Sequence, residues 1–187
     1  MKKLRICIDM DDTIEYLLPA WLRWLNSKYN LDVQIIDITE WDMTKFFPTL
    51  TVDQICEPLR TPEFWDTVTP MSDAIKYIPM LMEEGHDIYI CTSTYYKTAP
   101  EKFDRCLFKY FPFIDKKKVI ITYNKQMIDC DILVDDYINN LIGGKYIGLL
   151  VWMPHNKDIN LDEYRNIYRV HDWKEIYEYI NEYAKCW

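Results

Sequence analysis

Residues 6–14, "ICIDMDDTI", run a short apolar stretch into Asp9, Asp11 and Asp12, with Thr13 close behind. Three acids this close repel one another, and burying an ion costs several kcal/mol unless a cation or donors compensate. Three further apolar runs lead to polar residues of related use. "DIYICT" arrives at Thr92 and Ser93, "VIIT" is followed by Lys125, and "DILV" ends in Asp135 and Asp136. Brought together, these residues make an oxygen-rich donor set without histidine or thiolate, which suits Mg²⁺. Mg²⁺ keeps positions open for phosphate oxygens and polarises them. Lys125 and the Thr92 hydroxyl can hold the remaining phosphate oxygens. One carboxylate is then available to attack phosphorus and a second to carry a proton.

Such a site needs elements that bring the four runs to one place. Residues 4–9, 87–92, 118–122, 131–134 and 146–153 read as strands, the first a buried apolar run. Between them lie helical patterns. Residues 13–29 carry Leu17, Leu18, Trp21, Leu22 and Leu25 on one face, with Pro19 bending or delaying the start. A helix over 72–84 stops at Gly85. Thr98-Ala-Pro-Glu101 has capping-box spacing for the next. A short helix ends at Gly143-Gly144, and Asp172 and Glu175 cap a last one. The alternation predicts an α/β chain with a parallel sheet covered on both faces, whose ligands bind at the carboxyl ends of the strands. Residues 30–71 are irregular and rich in aromatics, with a short helix expected over 52–59.

Composition narrows the function. The 187 residues are 49% hydrophobic and carry a net charge of −8, which argues against a disordered chain and against binding of a nucleic acid polymer. No run approaches membrane-spanning length, and the amino end is cut by Asp9 too early for a signal peptide. The six cysteines show no paired spacing, and three of them (Cys7, Cys91, Cys130) lie in or beside strand-like runs, as expected of buried thiols in a reducing cytoplasm. The three histidines share no zinc-ligand spacing.

Asp9-Met-Asp-Asp-Thr13, Thr92, Lys125 and Asp135-Asp136, in this order and each at a strand end, resemble the four motifs of the haloacid dehalogenase-like phosphatases. Within that superfamily the likeness is greatest to the 5′(3′)-deoxyribonucleotidases. The resemblance implies a Rossmann-like three-layer sandwich with a small helical cap inserted after the first strand. The core would span 1–14 and 72–187 and the cap 15–71. It implies Asp9 as the nucleophile that becomes aspartyl-phosphate and Asp11 as the acid and then the base. Thr92, Ser93 and Lys125 would bind phosphate. Mg²⁺ would sit on Asp9, the Asp11 carbonyl and Asp136, supported by Asp135. The substrate would be a nucleoside monophosphate, its base stacked on cap aromatics, for which Tyr16, Leu17, Trp41, Phe64 and Trp65 are candidates. Aromatics in irregular segments are more often core than recognition platform. One departure stands out: position 12, commonly glycine in that subfamily, is Asp12.

Three rivals share parts of this pattern. A receiver domain gathers the same residue types but places its phosphorylated aspartate on a middle strand and its lysine late. Here the middle strand ends in Thr92, and Lys125 precedes the acidic pair. A phosphatase for sugar phosphates, or a phosphatase-like fold that only binds a ligand, would carry the same motifs.

Overall fold

The computed structural model describes residues 2–186. Six parallel strands form one sheet: β1 (Arg5–Ile8), β2 (Asp87–Thr92), β3 (Val119–Ile121), β4 (Ile132–Asp135), β5 (Ile147–Val151) and β6 (Ile167–Val170), in the order β3-β2-β1-β4-β5-β6. The chain direction across the sheet reverses between β1 and β4, the position where a doubly wound sheet opens a crevice at its carboxyl edge. Register brings the motif residues level there: Ile8 pairs with Ile90 of β2 and with Val134 of β4. The Asp9 N–H continues the ladder to the Val134 carbonyl at 2.8 Å.

Alternation along the strands feeds two cores. Ile6, Ile8, Ile88, Ile90, Ile132 and Val134 face one side and pack with α3 (Ser72–Glu83) and α7 (Trp173–Lys185). Cys7, Cys91 and Leu133 face the other and pack with α6 (Ile138–Leu141) and Tyr146. A third cluster, with Leu18, Leu22, Leu25, Met43, Phe47 and Ile55, is built by α1 (Leu17–Tyr29), α2 (Val52–Cys56) and the 3₁₀ turns between them.

Several local outcomes depart from the expectations. β6 was not foreseen: its four residues run buried, exposed, half-buried and buried at the sheet edge, too short a run to show a period. α1 starts at Leu17 rather than at residue 13. Asp12 turns the backbone at φ +51°, and both its carboxylate oxygens accept the Leu18 N–H at 3.0 Å. Pro19 falls in the first helical turn, where its missing N–H leaves no bond unmade. The helix over 52–59 ends at Cys56 and passes into a 3₁₀ turn, Pro58–Arg60. The capping box at Thr98 does not form. The Thr98 hydroxyl instead donates to the Leu59 carbonyl at 2.8 Å, tying this region to the segment after α2. The helix it precedes has three parts: α4 (Ala99–Lys102), a π-helical turn (Phe103–Leu107) and α5 (Phe108–Tyr110).

Candidate active site

Asp9 leaves β1 with its carboxylate almost sealed from solvent, at 6% exposure. Lys125, brought in by a 3₁₀ turn after β3 and itself buried, reaches Asp9 Oδ1 at 2.6 Å and Asp135 Oδ2 at 2.6 Å. Asp135 is further held by the Tyr137 N–H at 2.9 Å and by Asn140 Nδ2, so it anchors the lysine rather than facing the opening. Asp136 is different. Its Oδ1 is buried with no hydrogen-bond donor, while its backbone carbonyl accepts from Asn156 Nδ2 at 2.8 Å. His155 Nε2 lies 3.1 Å from that carbonyl and 3.4 Å from Asp136 Oδ2.

These acids are under electrostatic strain. Burial lifts the Asp9 carboxyl to about 7 against the pull of Lys125, and Asp135 and Asp11 add to the rise. Burial, with Asp135, Asp9 and Asp12 nearby, holds Asp136 well above the ordinary carboxylate range. Burial opposes the Lys125 charge too, yet Asp9 and Asp135 raise its pKa above the usual lysine value. Oxygens of Asp9, Asp135 and Asp136 fall within 4.8 Å of one another, served by one ammonium. The donor set is all oxygen and Asp136 Oδ1 lacks a partner, so the cluster fits a divalent cation.

Thr92 ends β2, fully buried, and its hydroxyl donates to the Ser93 carbonyl at 3.2 Å. Asp11, two residues beyond Asp9, points toward β2 rather than toward Lys125. Its Oδ2 is bonded to Lys102 Nζ at 2.6 Å. Lys102 went unnoticed in the sequence, although it falls on the apolar stripe of its helix with Ala99 and Cys106, an odd place for a lysine. Glu15 was missed as well. It is wholly buried, takes the Cys106 thiol as a donor, and is pushed well above the usual carboxylate range by burial and then by Asp11.

A cavity of about 300 Å³ opens above the acids. Asp11, Asp12, Ser93 and Asp136 line one end; Leu17, Trp21, Trp41, Leu59, Trp65 and Tyr95 make much of the rest. Of the expected recognition residues, Leu17, Trp41 and Trp65 therefore reach the cavity. Two do not. Phe64 is buried behind Trp65, edge-on at 5.4 Å, and Tyr16 precedes α1 with its side chain partly in solvent. Trp41 stacks on Tyr137 with centroids 4.0 Å apart and meets His155 edge-on, so a ring from the segment before α2 closes over the residues that follow Asp136. The His155 and Asn156 support had no signal in "WMPHNK" beyond a lone histidine.

The sheet and this arrangement of acids define a haloacid dehalogenase-like hydrolase. A HAD family hydrolase from Deinococcus radiodurans R1, solved with bound phosphate and sodium, has the same fold, with a TM-score of 0.64 at 12% identity, covering 97% of this chain and 96% of that one. Residues 2–186 match the family described as 5′ nucleotidase, deoxy (Pyrimidine), cytosolic type C protein, and the chain belongs to that family. It is 29% identical over 176 residues to the 5′(3′)-deoxyribonucleotidase of Bacillus subtilis (strain 168), covering 94% of this chain and 97% of the relative. A 5′(3′)-deoxyribonucleotidase of Clostridium acetobutylicum is 29% identical over 178 residues, covering 94% and 93%.

Proposed function

We propose that the chain is a Mg²⁺-dependent phosphomonoesterase that removes phosphate from deoxynucleoside monophosphates. The observation that carries this reading is the grouping of Asp9 with Lys125 and Asp136, beside an apolar, aromatic-lined cavity into whose wall Asp136 and Asp11 are built. Asp9, the Asp11 carbonyl and Asp136 would hold Mg²⁺, with Asp135 holding Lys125 beside them. When bound, the ion supplies charge neutralisation and Lewis-acid polarisation of phosphate oxygens.

The remaining chemistry belongs to the chain. An Asp9 oxygen attacks phosphorus as the bond from phosphorus to the ester oxygen breaks. Asp11 gives that oxygen its proton, so the nucleoside leaves as an alcohol and Asp9 is left as aspartyl-phosphate. Asp11, now ionised, takes a proton from water. The water oxygen bonds to phosphorus, the acyl phosphate opens, and Asp9 and inorganic phosphate are restored. Lys125, Thr92 and Ser93 bind the phosphoryl oxygens throughout. Residues 15–71, with a hydrophobic cluster of their own, serve as the cap that supplies Leu17, Trp41 and Trp65 to the nucleoside side of the cavity. Among the described residues no helix is long and apolar enough to cross a membrane. The cysteines are free, which suits the reducing cytoplasm in which we place the reaction.

Phosphate release from dUMP, dTMP, UMP, AMP and a sugar phosphate, with Mg²⁺ and with EDTA, tests the reading. Metal-dependent release favouring the deoxynucleotides is expected. Release from the sugar phosphate alone would overturn the nucleotide assignment.

A further inference from the structure

Lys102 is 1% exposed, and its ammonium has three acceptors in reach: Asp11 Oδ2 at 2.6 Å, Thr92 Oγ1 at 3.0 Å and the Ser93 carbonyl at 3.3 Å. An ammonium has three hydrogens to donate, so the set is complete. The Trp65 ring adds a fourth contact, its centroid 5.3 Å from Nζ. Burying an ammonium and fixing a four-carbon stem both cost free energy, and packing alone would be better served by Leu or Met. The backbone is unusual at the same place. The helix widens into a π-helical turn directly after Lys102, a feature found disproportionately at functional sites.

The tether acts on one half of the Asp11 carboxylate. Oδ2 is bound to Lys102, while Oδ1 is buried with no amine or amide donor in reach, on a residue that lines the cavity and has the buried Glu15 carboxyl beside it. We propose that Lys102 is a positioning residue for the acid–base step, fixing Asp11 through Oδ2 so that Oδ1 carries the proton to the leaving oxygen. This rests on the proposed phosphatase reading and assigns Lys102 a part in it outside the four motifs. Without the tether the Asp11 carboxylate is free to turn, and the proton no longer meets the ester oxygen as its bond to phosphorus breaks. Through Thr92 and Ser93 the same ammonium fixes the end of β2, so the proton donor and the phosphate-binding hydroxyl share one anchor.

The leaving group separates positioning from mere packing. A nucleoside or other alkyl alcohol must be protonated as it departs, whereas p-nitrophenolate leaves without a proton. The comparison uses kcat/KM, which covers steps up to departure of the leaving group, for wild type, Lys102→Met and Lys102→Gln. The substrates are dUMP, an alkyl monophosphate (glycerol phosphate) and p-nitrophenyl phosphate. For Lys102→Met the loss on the alkyl esters is expected to be about 10²-fold, the low end of what a positioned proton donor contributes. The loss on p-nitrophenyl phosphate is expected to be about tenfold smaller than that. Lys102→Gln, which keeps a donor, falls between. Equal losses on all three substrates, or no loss, overturn the assignment. If dUMP is inert in the wild type while glycerol phosphate reacts, the nucleotide reading fails and Lys102 is judged on glycerol phosphate. Should neither variant fold, or the wild type turn over none of these, a crystal structure of the unmodified protein with inorganic phosphate decides. Lys102 still bonded to Asp11 supports the proposal, and Lys102 turned onto the phosphate overturns it.

Discussion

At Asp9, burial and charge pull in opposite directions, and burial wins, leaving the carboxyl near 7 in the metal-free protein. Protons and metal then compete for the same oxygens. The affinity for Mg²⁺, followed by calorimetry, is expected to rise as pH increases through about 7, where Asp9 ionises, and Asp136, also held high by burial, adds to the rise. Lys125 is the only ammonium bonded to the Asp9 and Asp135 carboxylates among the described residues. Replacing it by Met leaves buried acids without their partner, a change that costs about 3–5 kcal/mol in comparable sites. Urea unfolding of metal-free Lys125→Met at neutral pH should show a loss of that order. Asp12 carries the opposite lesson. In sequence it reads as an added acid at a catalytic loop. In the fold, its backbone sits in the left-handed region and its carboxylate caps α1. A glycine takes that backbone conformation freely, whereas other residues pay about 1–2 kcal/mol. A lost cap costs about 1 kcal/mol. Asp12→Gly therefore exchanges one for the other and should lie within about 1 kcal/mol of wild type. Asp12→Ala loses the cap, keeps the strain, and should be about 1–2 kcal/mol less stable in the same assay.

At the scale of elements, the strand ends were legible because each apolar run stops at a residue whose chemistry makes sense only in company. Asp9, Thr92, Lys125 and Asp136 could be read one at a time as caps or surface groups, and the order of all four gave them a common place. Lys102 and Glu15 were not legible. Each belongs to a helix or turn whose periodicity says only which face is buried, and no local rule says that a buried lysine will find an aspartate 91 residues away. β6 was hidden for a related reason, since a four-residue edge strand has too few positions to show a period. Thr98 misled because its hydroxyl has a tertiary acceptor, Leu59, that outcompetes the local cap. The aromatics before α3 divide by burial. Trp65 is 2% exposed and lines the cavity from within a core. Its replacement by Ala should cost about 3–5 kcal/mol of stability as well as substrate affinity. Trp41 is half in solvent and held by Tyr137 and His155. Trp41→Ala should leave the melting temperature within a few degrees, ~1 kcal/mol or less, while raising KM for dUMP more than for p-nitrophenyl phosphate.

For the whole molecule, a parallel sheet with its direction switch beside β1 brings four separated motifs to one edge, and the segment between β1 and α3 supplies much of the wall of the cavity there. Stability at the far end of the sheet has its own control. His86 is buried beneath β1, its Nδ1 accepting the Leu4 N–H at 3.3 Å, and burial lowers its pKa below the ordinary value. The folded state therefore binds fewer protons than the unfolded chain just below pH 6.5, and stability falls as pH drops through that range. His86→Asn keeps an acceptor without the titration, so its melting temperature should decline less between pH 7 and 5 than that of wild type. If an Asp9 carboxylate oxygen is the nucleophile, an acid quench of the Mg²⁺-loaded enzyme during turnover of dUMP, followed by peptide mass spectrometry, traps the phosphoryl group on it. A phosphoryl group is expected on Asp9 and absent from Asp9→Asn, whose turnover should fall by roughly 10⁴-fold or more. Turnover at the wild-type rate by Asp9→Asn, or a phosphoryl group carried on another residue, would contradict it.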